Sequence, residues 1–170
     1  MSATTEPRIQ HTTLSSTVES FNSGVSGRSE LLGLNGSSDA WFAAELLAQN
    51  SLGAPLLIVS ASQAEAQRFH RALSFFHGRQ NEILFFPHWE TEPYTPLSPH
   101  PEIEATRLAT LAALVAGRGK AVVTTVRALQ QKIVPREILK KLQLRLEVGN
   151  EIARETLLKG LTSLGYQRSA

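Results

Sequence analysis

The stretch APLLIVSASQAEAQRFHRALSFFHGRQNEILFFP, residues 54–87, decides the fold. Its two ends are apolar runs of strand length, LLIV and ILFF, and Pro87 stops the second. Between them Ala66, Phe69, Leu73 and Phe76 recur on one helical face, and Ser62 stands where an N-cap belongs. The same alternation extends outward. Towards the N-terminus, ELLGL (30–34) reads as a strand and DAWFAAELLAQN (39–50) as a helix capped by Ser38 or Asp39. Towards the C-terminus, Leu108, Leu111, Ala112 and Val115 mark the apolar face of a helix over 102–116, and KAVVTTV (120–126) reads as a fourth strand.

Strands apolar on both faces, separated by helices, predict an α/β fold: a parallel sheet covered by helices on both sides. Such a sheet places ligand sites at the C-terminal ends of its strands, where residues 33–39, 60–63 and 124–127 gather. Residues 1–28, rich in Ser, Thr and Gly, read as a flexible lead with a short helix around Val18–Phe21. The α/β domain then spans 29–135. Residues 136–170 read as a linker and the incomplete start of a second α+β module. There LQLRLEV (142–148) alternates as a strand with one wet face. A helix capped by Asn150 follows, with Leu157, Leu158, Leu161 and Leu164 in a stripe.

Composition narrows the function classes. The chain is 42% hydrophobic and 19% charged, ordinary for a globular protein. Without cysteine it has neither a disulfide framework nor thiolate chemistry, which suits a cytoplasmic setting. No apolar run is long enough for a bilayer, and no secretory leader is visible, so no membrane partner is expected. Charge is segregated: residues 1–117 hold 6 Lys+Arg against 11 Asp+Glu, whereas residues 118–170 hold 11 against 4. That asymmetry makes Arg127, Lys132, Arg136, Lys140, Lys141 and Arg145 a candidate contact surface for an acidic partner or nucleic acid.

The segment LLGLNGSSDAWFAAELL (31–47) carries the outline of a phosphate-binding loop, G-x-x-x-x-G-K-[ST] before a helix. Gly33 and Gly36 are kept for the turn. Ser38 stands at the motif's last glycine, Asp39 at its lysine and Ala40 at its Mg²⁺-binding hydroxyl. Lysine to aspartate shifts the local charge by two units, each worth roughly 4 kcal/mol against phosphate at about 4 Å and an effective dielectric near 20. The loop is therefore degenerate, and no nucleotide cofactor is expected. Nor is a metal expected: His70 and His77 lie two turns apart on one helix, about 10 Å along its axis. His88 and His100 sit among Glu90, Glu92, Glu102 and Glu104 with no spacing that defines a ligand set. Glu90 and Glu92 are assigned to Arg107 or to water, since no nucleophile accompanies them.

FFPHWETEPYTPLSPHPEIEATRLATLAAL, residues 85–114, is the most distinctive stretch. Its five prolines make a rigid extended loop, in which Trp89 and Tyr94 are anchors. The W-E-T-x-P-Y core, the following S-P-H and the R-L-x-T-L helix resemble the N-terminal region of bacterial transcription-repair coupling factors, itself similar to the damage-recognition protein UvrB. The resemblance extends over roughly residues 28–168, including LLIVSASQAEAQRFHRALSFF, AVVTTVRALQQKIVP and LTSLGYQR. It implies a helicase-like fold similar to the first domain of UvrB, with a degenerate P-loop. It also implies a non-catalytic, autoregulatory interaction module that recruits the repair protein UvrA. The full-length family is an ATP-dependent DNA translocase acting on stalled RNA polymerase, with ATP and Mg²⁺ held in a motor downstream. The arginines that contact UvrA in the family would follow Ala170. UvrB's long aromatic hairpin has no room in the short link 95–101. Two rival readings are a small helicase-related nucleotide-binding protein and a nonspecific DNA binder acting through residues 118–168.

Overall fold

A computed structural model describes residues 16, 18–19, 30–49, 53–90, 98–142, 146, 148–149, 151–163 and 166. Three strands, β1 (Leu56–Ser60), β2 (Ile83–Phe86) and β3 (Ala121–Thr125), form a parallel sheet in the order β1-β3-β2. Ala121 pairs with both Leu56 and Ile83, so the two outer strands start level on the central one. The α-helices that accompany them include α1 (Ser38–Ala48), α2 (Gln63–His77), α3 (Pro101–Val115), α4 (Val126–Leu129), α5 (Arg136–Leu142) and α6 (Arg154–Ser163), and residues 16 and 18–19 are helical as well.

Local chemistry sets the boundaries. Ser62 accepts from the Glu65 backbone N–H while the Glu65 carboxylate accepts from that of Ser62, a complete capping box for α2. Gly78, at φ 73°, ends the same helix in the left-handed region that a side chain would strain. Pro101 opens α3 at the position where a missing N–H costs nothing, and His100 Nδ1 accepts from Glu102 N at 3.3 Å. Just before β2, His77 and Arg79 converge on Glu82. The hydrogen bond from His77, then Arg79, holds the Glu82 carboxyl below its usual range.

The main core lies on one side of the sheet. α2 crosses all three strands, α1 packs on α2, and Ala40, Ala43, Ala44, Ala66, Leu73 and Val123 are buried between them. On the other side α3 and α4 cover Phe86 and Val122 with Leu111, Leu114 and Ala128. A small third cluster joins Val18, from the N-terminal lead, to Phe42 and Leu46 of α1, with Leu31 beside it.

Several expectations are corrected. ELLGL is no strand: residues 30–35 have no ladder partner, because Gly33 at φ 83° breaks the extension and Leu31 turns to the Val18 cluster. KAVVTTV is accordingly the third described strand. The cap of α1 is Ser37, without a side-chain bond, since Ser38 Oγ is committed to the Asn35 carbonyl and Asp39 to Ala40 N. β1 is not buried on both faces, for Leu57 and Val59 point to solvent. Phe76 of α2 is exposed. The inward face of α3 carries Arg107 and Thr110, while Leu108 faces out, because both polar side chains find backbone carbonyls to bind.

Within 136–170, residues Arg136–Leu142 form helix α5, in which Leu139 is buried. Leu142 closes that helix rather than opening a strand. Residues 143–145 and 147 of LQLRLEV lie outside the described residues, as do Tyr94, Asn150 and Leu164. α6 begins at Arg154, past the expected cap, with Leu157 and Leu161 half-buried and Leu158 exposed.

Candidate functional site

The loop before α1 and the start of α2 meet through one long-range contact. Arg68 of α2 donates from one guanidinium nitrogen to the Gly36 carbonyl at 3.1 Å and from the other to Asp39 Oδ2 at 3.2 Å. The second carboxylate oxygen, Oδ1, accepts from the Ala40 backbone N–H at 2.7 Å. Asp39 thus occupies the positive end of the helix dipole with a negative charge of its own. Gly33 and Gly36 both adopt positive φ, 83° and 65°, with open space where a side chain would stand. Sequence reasoning picked out Gly33, Gly36, Ser38, Asp39 and Ala40 but missed Arg68, which is 29 positions from its partner.

At the C-terminal ends of β2 and β3, His88 Nδ1 lies 3.2 Å from Thr125 Oγ1. Burial, followed by the charge of Arg127, pushes this imidazole below its usual range. Next to it stands a buried cation. Arg107, 4% exposed, donates to the Pro87 carbonyl at 2.6 Å and to Gln131 Oε1 at 3.1 Å. Its guanidinium carbon is 4.2 Å from the Phe86 ring centroid and 4.6 Å from that of Trp89. Burial lowers its pKa, yet a guanidinium keeps its charge. Gln131 completes the knot by accepting from Trp89 N at 2.9 Å and donating to Trp89 O at 3.4 Å. Trp89 is thus held through its backbone by Gln131 and across its ring by Arg107. Of the two alternatives for Glu90, Arg107 or water, the exposed position of Glu90 fits water, Arg107 being bound by these neutral partners, and Glu92 lies outside the described residues.

Among the described residues the basic run is spread over α4, the segment after it and α5. Lys132 and Arg136 line adjoining cavities beside α3. Arg127 is exposed near His88. Lys140 lies 3.9 Å from Glu137 on its own helix. Lys141 is in α5, and Arg145 lies outside the described residues.

No family model matches the chain. It is 34% identical over 143 residues to the transcription-repair-coupling factor of Myxococcus xanthus, covering 81% of this chain and 12% of that protein. With the transcription-repair-coupling factor of Escherichia coli the identity is 30% over 142 residues, covering 83% of this chain and again 12% of the relative. The UvrABC system protein B of Metamycoplasma arthritidis is 29% identical over 151 residues, 82% of this chain and 22% of its own length. The chain therefore spans about an eighth of the coupling factors it matches and under a quarter of the UvrB protein.

Proposed function

From the premise that this chain is similar to the UvrB-like N-terminal region of transcription-repair-coupling factors, we propose that it acts in transcription-coupled nucleotide excision repair as an interaction module without catalysis. The observation that carries this reading is the ion pair at the loop before α1. A nucleotide-binding loop needs a free cation and a hydroxyl to hold Mg²⁺ and phosphate. Here Asp39 and Ala40 stand in those places, and the nearest guanidinium, Arg68, is engaged by Asp39 and the Gly36 carbonyl. The residues present do not fit Mg-ATP.

What remains is a compact α/β body suited to holding surfaces for other proteins. The partner proposed is UvrA, contacted through a second domain of which residues 136–170 form the linker and incomplete start. Engagement of stalled RNA polymerase and DNA, with ATP turnover, is proposed for the whole protein rather than for this stretch.

Isothermal titration with Mg-ATP tests the loop, and no saturable heat is expected. A micromolar dissociation constant would overturn the non-catalytic reading and favour the helicase-related nucleotide binder. Surface plasmon resonance on immobilised UvrA tests the partner. Binding is expected for a chain continued through the second domain and not for this chain alone, and strong binding by residues 1–170 would move the contact surface into the α/β body.

A further inference from the structure

We propose that the trough between α3 and the segment after α4 is a docking groove for an acidic amphipathic helix of a partner protein. Three cavities, of about 280, 270 and 300 Å³, run side by side there, and all three share Leu111 and Ile133. Neighbouring cavities also share Leu114 or Val134, so the depressions adjoin one another in a row. Its apolar lining is open to solvent: Ile133 is 57% exposed, Leu129 51% and Leu108 42%. Contiguous exposed aliphatic surface of this kind, edged by charge, marks an interaction site.

The occupant follows from length and charge. The trough runs along α3 from Glu104 to Val115, roughly 16 Å at 1.5 Å per residue, which is three turns of a second helix. A helix laid in a groove uses apolar anchors at i, i+3 or i+4, and i+7. Lys132 and Arg136 edge the channel, and neither has a carboxylate within 4.0 Å among the described residues. Glu104 is the acidic group among the lining residues, at one end. Carboxylates flanking the anchors would pair with the free cations, whereas basic flanks would be repelled. Nucleic acid suits the channel less. Its floor is largely aliphatic, and its two aromatic rings, Phe86 and Trp89, already face Arg107. This inference is independent of the loop at Asp39 and of the UvrA proposal.

The test is a selection of the folded chain against a displayed library of stapled helical peptides about four turns long, followed by fluorescence anisotropy of the enriched peptides. Enriched sequences are expected to carry aliphatic residues at i, i+4 and i+7 between Asp or Glu. Ile133→Asp should weaken their binding at least about tenfold, as loss of a central anchor does. Lys132→Glu with Arg136→Glu should do the same and admit a lysine-flanked version of the peptide. Leu129→Asp is a second probe of the channel, and Phe75→Asp, on an exposed part of α2, should change nothing. Unfolding midpoints confirm that each variant is folded. Enrichment of basic peptides, affinity that survives both Ile133→Asp and Leu129→Asp, or no enrichment at all would overturn the proposal. So would self-association abolished by Ile133→Asp, which would make a second copy the occupant, or duplex DNA binding lost with the charge reversal.

Discussion

The two faces of the sheet are closed in different ways. On the α2 side, Ala40, Ala43, Ala44 and Ala66 let the helices approach closely, and Leu73 and Val123 are fully withdrawn from solvent. On the α3 side the joint is polar. Thr110 donates to the Phe85 carbonyl at 2.6 Å, Thr124 to the Phe86 carbonyl at 2.7 Å, and Arg107 to the Pro87 carbonyl. That side leaves Leu57, Val59 and Leu129 about half exposed. Apolar interdigitation tolerates no gap, because its energy lies in area and packing. Directional bonds can position a helix over a sheet while leaving apolar surface uncovered beside it. The first face is built for stability and the second for holding an open shape.

The largest expected effect lies on the closed face. Leu73→Ala should cost about 3–4 kcal/mol, as emptying a tightly packed site does, whereas Leu57→Ala on the open face should stay within about 0.5 kcal/mol. Urea unfolding of both variants measures this, and equal losses would break the distinction. Next comes Arg107→Met. It keeps an aliphatic stem between Phe86 and Trp89 but takes the guanidinium donor from the Pro87 carbonyl and leaves Gln131 Oε1 only the Trp89 N–H, a loss of about 2 kcal/mol. Arg107→Lys should recover only part of this, since an ammonium cannot lie flat between two rings. A full recovery would mean that charge alone matters there.

The smallest effect is one of pH. The neutral imidazole of His88 is favoured in the folded chain, so the unfolded chain takes up that proton first as pH falls. The contribution is fully present above the ordinary imidazole value of 6.5 and is lost as pH falls from there through the lowered folded value. His88→Asn should flatten the stability profile in that window and leave it unchanged above pH 7.5 or so. An unchanged slope would assign the dependence to another group.

The alternation of elements was legible because each signal is local. Ser62 and Glu65 cap α2 from three residues apart, and Pro87 and Pro101 mark ends by their own geometry. What escaped is long-range. Leu108 looks like a core residue on a helical wheel, yet Arg107 takes the inward place because Pro87 and Gln131 supply acceptors that periodicity does not register. Likewise Gly33 and Leu31 contain no sign that Val18 will draw the segment away from the sheet. At the candidate loop, the altered residues could be read directly in the motif. Their partner Arg68 could not, since a guanidinium on an exposed helix turn resembles any other solvated charge.

The bridge from Arg68 to Asp39 also constrains the routes by which this loop can change. An Asp39→Lys replacement alone would set an ammonium against a guanidinium, and an Arg68→Ala replacement alone would leave a carboxylate at the loop without its counter-ion. Either single step loses the pair, and the paired exchange removes the like-charge clash while still placing a cation at the positive end of α1. The two positions are thus coupled across two separate helices, and because both side chains are partly exposed that coupling is worth no more than about 1 kcal/mol.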